Sequence, residues 1–212
     1  MRYILLLFLS LSFASFAKPT NVADIDNFSE AKTYLRTHLP KDAQTFYCGC
    51  DIKKKGKKLE PDLESCGYKA RNPTLKNGHP NPRVHRIEWE HIVSAWEFGH
   101  QLQCWQDGGR KNCIKVSEQF RLMEADIHNL VPAVGEVNGD RSNYKFAMLP
   151  QEKGRYGLCD MKIDFKNKLV EPPMRARKKI AEAYFYMEKK YGLQISDKQR
   201  KLYQVWLSNT HQ

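Results

Sequence analysis

Glu90 and His91 stand side by side, with Arg110 and Asn138 further along the chain. The imidazole of His91 titrates near neutrality, so its neutral ring can take a proton from water. Glu90 and Asn138 offer oxygen donors. A hard divalent ion such as Mg²⁺ accepts one or two of these from protein and keeps water in its other positions. Arg110 is a planar donor suited to a phosphate group. A base, an ion with open positions and a cation that holds phosphate are what hydrolysis of a phosphodiester requires.

Each of these residues also has a plain structural use. A single histidine in a strand can simply pack. Glu90 can be a surface charge, and Asn138 can be a turn residue before Gly139. His100 and His128 read as satisfied core histidines. The zinc-protease pattern is missing, because His91 is not followed by Glu at the next position and a second His at the fifth. A two-metal phosphatase would need a cluster of carboxylates that the sequence does not display.

The elements that must position these groups follow from periodicity. Residues 86–93 alternate Ile87 and Trp89 with charged neighbours and read as a strand. Residues 128–133 suit a second strand, and 134–144 a helix weakened by Gly139. Neighbours on a strand point to opposite faces, so Glu90 and His91 share one face only if a twist or bulge intervenes at the strand end. Residues 101–115 read as a loop and 117–127 as a helix with Ser117 as its cap. Before this centre the expectations are a helix over 29–39 capped by Ser29, a short strand over 45–52 and a loop over 72–82. Residues 53–58 are a basic turn that could touch phosphate but reads first as a solvated hairpin tip. Within the centre residues 95–100 read as a helical turn, and after it come a weaker strand at 161–165 and a helix from 172 to 191, with Ile180, Tyr184, Met187 and Tyr191 on one face and Gly192 at its end. A last helix starts at the Ser196–Gln199 capping box. Arg175, Arg177, Lys178 and Lys179 either line a cleft or form a solvated face.

The chain of 212 residues is 41% hydrophobic, enough for one domain with a core of its own. Lys and Arg outnumber Asp and Glu 35 to 24, a formal charge of +11, which favours polyanionic partners. Met1-Arg2, an apolar run to Phe13 and the small residues ending at Ala17 read as a signal peptide over 1–17, leaving a single domain over 18–212. No other stretch is long and apolar enough to cross a membrane. Six cysteines behind such a leader read as three disulfides formed in an oxidising compartment. Cys104 and Cys113 bracket a polar, Gly-rich stretch and make a local bridge. Cys50–Cys66 closes the next loop, which leaves Cys48 with Cys159. Zinc binding at Cys48-Gly49-Cys50 is the weaker reading, because no second such pair exists.

Glu88-Trp89-Glu90-His91-Ile92-Val93, Gly99-His100-Gln101, the run from Cys104 to Cys113, His128-Asn129-Leu130-Val131-Pro132, Gly135-Glu136-Val137-Asn138-Gly139-Asp140-Arg141 and Glu171-Pro172-Pro173 together resemble the endonuclease I family of bacterial periplasmic and secreted nucleases. The resemblance spans the chain from Phe46-Tyr47-Cys48-Gly49-Cys50 to the last helix. It implies an α+β fold, a mixed α/β single domain with a ββα-metal core stapled by disulfides and a cleft for nucleic acid. It implies sequence-independent cleavage of DNA, and of RNA, to 5′-phosphate ends by a periplasmic or secreted monomer. By the same resemblance His91 is the general base, Glu90 and Asn138 hold one Mg²⁺, Arg110 holds phosphate and Glu124 is an acidic residue beside the site. The alternative is a catalytically inert, basic secreted protein that only binds nucleic acid.

Overall fold

A computed structural model describes residues 21–208, so the signal-peptide reading of 1–17 lies outside the described residues. Helix α1 spans Phe28–Thr37 and is capped by Asn27, whose side chain accepts from the Glu30 backbone N–H, so the helix starts one residue before the expected Ser29. Residues 45–52 are not the expected strand. Thr45 folds this stretch into a turn: its Oγ1 accepts from Cys50 N at 2.9 Å and its carbonyl from Gly49 N at 2.8 Å. Gly49 sits at φ +72°, a conformation that a residue with a Cβ rarely adopts. The Cys48–Cys159 and Cys50–Cys66 disulfides leave from this turn. Strands β1 (Ile52–Lys55) and β2 (Lys58–Pro61) then form an antiparallel hairpin whose tip is the basic turn.

Strand β3 (Ile87–His91) pairs much later in the chain with β4 (Leu130–Val134), antiparallel and in unbroken register from Ile87↔Val134 to His91↔Leu130. Between them lie α2 (Ala95–Gly99), α3 (Gln103–Gln106), α4 (Gly109–Val116) and α5 (Glu118–Ala125). The expected loop over 101–115 is therefore two short helices, pinned together by the Cys104–Cys113 disulfide. Glycines and polar residues hide them from a periodicity search, and the covalent link removes the entropy that defeats isolated short helices. Helix α6 (Gly135–Arg141) follows β4 with no loop, completing a ββα unit. A three-stranded sheet, ordered β5 (Lys145–Phe146), β7 (Leu169–Glu171), β6 (Lys162–Asp164), comes next. Helices α7 (Met174–Tyr191) and α8 (Asp197–Ser208) pack on each other at the end, with Gly192 capping α7 at φ +71°.

One apolar core joins these parts. Ile92, Val93 and Ala133 from the β3–β4 region meet Phe98, Phe120 and Met123 of the intervening helices and Ile180, Tyr184, Met187 and Trp206 of the last two. A smaller cluster sets Trp89 and Leu130 against Ala31, Phe28 and Tyr34 of α1. The three disulfides are those expected, Cys48–Cys159, Cys50–Cys66 and Cys104–Cys113. The fold is α+β in a single domain.

Candidate active site

All five residues of β3 line one open cleft of about 650 Å³. That is possible because β3 is hydrogen-bonded only to β4, so its other edge is free among the described residues and side chains from both faces reach the same space. Glu90 and His91 thus share the cleft without the twist or bulge that alternation demanded for a shared face. Phe28 and Lys32 of α1, Trp96 of α2, Arg110 of α4 and Asn138 of α6 form the other walls.

His91 is buried between the rings of Phe28, at 4.7 Å, and Phe98. Its Nε2 lies 2.7 Å from the backbone carbonyl of Glu124. A carbonyl only accepts, so Nε2 carries the hydrogen and Nδ1 keeps its lone pair. Burial is the largest influence on its pKa and pushes it down to about 4. Arg110, Arg141 and Lys32 push the same way, and the Glu124 carbonyl opposes them. The ring is neutral at pH 7.

Glu90 points to the other face of β3 and is 3% exposed. Tyr47 Oη donates to its Oε1 at 2.8 Å, and Arg141 Nη1 lies 3.3 Å from the same oxygen. Burial pushes its carboxyl up to about 7, against the opposing pull of Arg141 and Tyr47. Arg141, itself 1% exposed, also donates to the His91 and Ile92 carbonyls at 3.1 and 2.6 Å. It therefore clamps the end of β3 to α6. The helix stops at Ser142, at φ +53°, a strained conformation for a residue with a side chain, held by its N–H bonding to the Asn138 carbonyl.

Asn138 does not touch Glu90. Its Nδ2 donates to Glu88 Oε2 at 2.7 Å, and Glu88 is held in turn by Arg83 and Arg86. A carboxylate cannot accept from an amide oxygen, so this bond fixes the amide orientation. Among the described residues Asn138 Oδ1 has no donor. Gly139 belongs here for a packing reason: a Cβ would collide with the Arg83 guanidinium that braces Glu88. Arg110 and Glu124 are brought together, Nε to Oε1 at 2.6 Å, with the Arg110 side chain 45% exposed and Glu124 buried. Among the described residues only Nε of Arg110 is hydrogen-bonded, and its side chain lines the cleft.

Sequence reasoning missed Glu88, Arg141 and Tyr47. Alternation does place Glu88 and Glu90 on one face, a signal that could have found the first. One reading needs correction. His128 is exposed, with its ring 4.7 Å from that of Tyr186, and His100 is half-buried on Trp96, so neither is a core histidine. Of the α7 cations, Arg177 pairs with the buried Glu171 and Arg175 donates to Gln44, and none lines this cleft.

Can these groups hold a divalent ion? Glu90, Glu88 and Asn138 are hard oxygen donors, the type that suits Mg²⁺, Ca²⁺ or Mn²⁺ rather than zinc. No group of three or more His, Cys, Asp or Glu side chains converges for an ion among the described residues. The set therefore fits an ion that takes few protein ligands and leaves positions for water and substrate. The Glu90 carboxyl and Asn138 Oδ1 are oxygen donors in this cleft that such an ion could take.

The chain matches the model of the endonuclease I family over residues 27–212. It belongs to the endonuclease I family. It is similar to an extracellular deoxyribonuclease of Aeromonas hydrophila, 52% identical over 189 residues that cover 89% of this chain and 79% of the relative. A periplasmic deoxyribonuclease of the same species is 50% identical over 89% of this chain and 76% of its own. Endonuclease-1 of Buchnera aphidicola subsp. Acyrthosiphon pisum (strain APS) is 51% identical over 86% of this chain and 70% of its own. As a member of the endonuclease I family the chain is a metal-dependent nuclease, periplasmic or secreted. No helix of the described residues is long and apolar enough to cross a membrane.

Proposed function

We propose that this chain is a sequence-independent endonuclease that cuts DNA, and RNA by the same contacts, to 5′-phosphate ends, acting as a monomer with one Mg²⁺. The observation that carries the reading is His91. Its Nε2 is tied to a carbonyl, its Nδ1 is left as an acceptor, and it lines one cleft with Glu90, Asn138 and Arg110. The names of the deoxyribonuclease relatives support DNA as substrate. Contacts to phosphate carry no base information, which suits cleavage of any sequence and of either sugar.

In this reading His91 Nδ1 takes the proton of the attacking water. Burial depresses its basicity most in the free protein, and the positive charges of Arg110, Arg141 and Lys32 add to it. A phosphate entering the cleft cancels part of that positive field and makes the ring a better base when substrate is present. Arg110, aligned through Nε by Glu124, turns its terminal nitrogens to the phosphate oxygens. Glu90 and Asn138 hold the ion, with Glu88 orienting the Asn138 amide. When bound, a divalent ion supplies charge neutralisation on the phosphate and on the departing 3′ oxygen.

Plasmid cleavage by oxidised protein tests this, with Mg²⁺ or with EDTA, beside His91→Ala. Nicking that needs both metal and His91 is expected, with turnover of the variant down by about 10²–10⁴ and DNA binding nearly intact. Tight binding without cleavage under every divalent ion would give the case to an inert binding protein. Equal loss of binding and turnover in His91→Ala would make that residue structural.

A further inference from the structure

A second groove of about 640 Å³ runs beside the catalytic cleft, walled by α1, the β1–β2 hairpin and the segment leading into β3. Lys32, Ile87 and Trp89 line both, so the two are continuous. Lys32 and Arg36 of α1 face Lys57 and Lys58 of the hairpin across the groove. Glu60 is the carboxylate in its lining, and it is already paired with Lys55 at 2.5 Å. Among the described residues, no ion pair involves Lys32, Arg36, Lys57 or Lys58. A smaller cavity lined by Arg36, Lys54, Lys57 and Lys58 carries the same charge on to the hairpin tip.

Like charges gathered across a groove repel one another and raise the local concentration of anions. A solvated tip alone would not need α1 to supply two more cations opposite it. We propose that this groove is a second nucleic-acid subsite, which holds the phosphodiester backbone of the segment flanking the scissile bond. The proposal rests on the endonuclease reading above. Continuity with the nuclease cleft favours a polynucleotide over an anionic membrane, since a strand seated at His91 must leave the cleft and this exit is lined with cations. Substrates long enough to fill both grooves gain contacts that short ones lack.

The test compares the full chain with Lys57→Glu/Lys58→Glu and with a control of equal charge change, Lys166→Glu/Lys198→Glu. The control residues are exposed, on the β6–β7 turn and on α8. Binding to a duplex of several helical turns, and to one shorter than a turn, is measured against salt in EDTA so that the DNA stays whole. For the long duplex the groove variant should lower the slope of log K against log salt by about 2, since each phosphate contact contributes roughly 0.9. Between about 50 and 200 mM salt that removes roughly tenfold of the affinity loss. The short duplex should show a much smaller change, and the control none beyond the effect of net charge. Lys57→Gln/Lys58→Gln should reproduce the slope change and guards against misfolding of the charge-reversed form.

A slope equal to that of the control overturns the subsite, as does an equal loss on both duplexes. Loss of binding to phosphatidylserine vesicles with an unchanged DNA slope would assign the groove to membrane instead. If the unaltered protein cleaves plasmid but the slopes match, the endonuclease reading stands and only the groove proposal falls. If it cleaves nothing, the earlier reading fails first.

Discussion

Arg141–Glu90 and Lys55–Glu60 are pairs of the same chemistry placed in opposite surroundings. The first joins α6 to the end of β3 with both side chains almost fully buried. The second sits on the β1–β2 hairpin, with Lys55 66% exposed. In the core, neither charge can lose its partner, because water is not there to replace it. On the hairpin, water replaces it readily, and the pair is free to break and re-form. The core therefore uses charge for placement. Arg141 sets the end of β3 and the helix that carries Asn138. The hairpin keeps its charged ends in water, where they fix no position.

Arg141→Met should have the largest effect on stability. It leaves Glu90 buried with only Tyr47, and loss of one partner of a buried pair costs about 3–5 kcal/mol. Urea unfolding should show a lower midpoint with an unchanged slope, and cleavage should vanish under conditions where the variant is still folded. A shift below about 1 kcal/mol would erase the contrast with the hairpin.

Removal of the Cys104–Cys113 bridge as a double alanine variant should lower stability by about 2–3 kcal/mol, given a closed loop of this size. The α3–α4 pair carries Arg110, so KM for DNA should rise more than kcat falls. A fall in kcat alone would mean that the bridge supports the base and not the phosphate holder.

Glu88→Gln lies between the two regions, since Glu88 orients Asn138 while Arg83 and Arg86 brace it at the edge. A partner of this type typically changes metal affinity about 10–100-fold. The Mg²⁺ concentration for half-maximal cleavage should rise by that factor, with little change in the thermal midpoint. An unchanged Mg²⁺ dependence would show that Asn138 is placed by its helix alone.

Asp126 sharpens the comparison through pH. Burial raises its carboxyl pKa, but hydrogen bonds from Lys190 and Tyr191 and the His128 N–H overcome this and hold it below the ordinary aspartate value. Its contribution is complete above the unfolded aspartate pKa and is lost as pH falls through the lower folded value. Lys190→Met should move acid unfolding, followed by circular dichroism, to higher pH. Identical acid limbs would deny Asp126 any role. The smallest effect belongs to the hairpin: Lys53→Met, at an exposed pair with Asp62, should leave the urea midpoint unchanged within error.

Much of this protein is settled by its residues in order. The apolar face of α7 and its Gly192 stop are visible in a period of 3.6, the β3 strand in a period of two. Short loops pointed to the Cys50–Cys66 and Cys104–Cys113 bridges, which left Cys48 for Cys159. The pattern from Glu88 to Val93 and from Gly135 to Arg141 marked the family, and it holds residues that line the cleft. Local order determines such features because a helix face, a strand face and a short loop each depend on neighbours in the chain.

Other features depend on what packing brings from far away. The turn at Thr45 is held by its own hydroxyl and by docking of Phe46 N on the Pro132 carbonyl, so strand propensity lost to tertiary contact. The free edge of β3 decides that Glu90 and His91 open into one cleft, and an edge exists only once the sheet has formed. Asn138 meets Glu88 rather than Glu90 because α6 docks with Gly135 and Gly139 against Arg83 and Glu88. Alternation could say which strand residues share a face. Which of them a helix some 50 residues later would touch was decided by the shape of that helix and of the surface it meets.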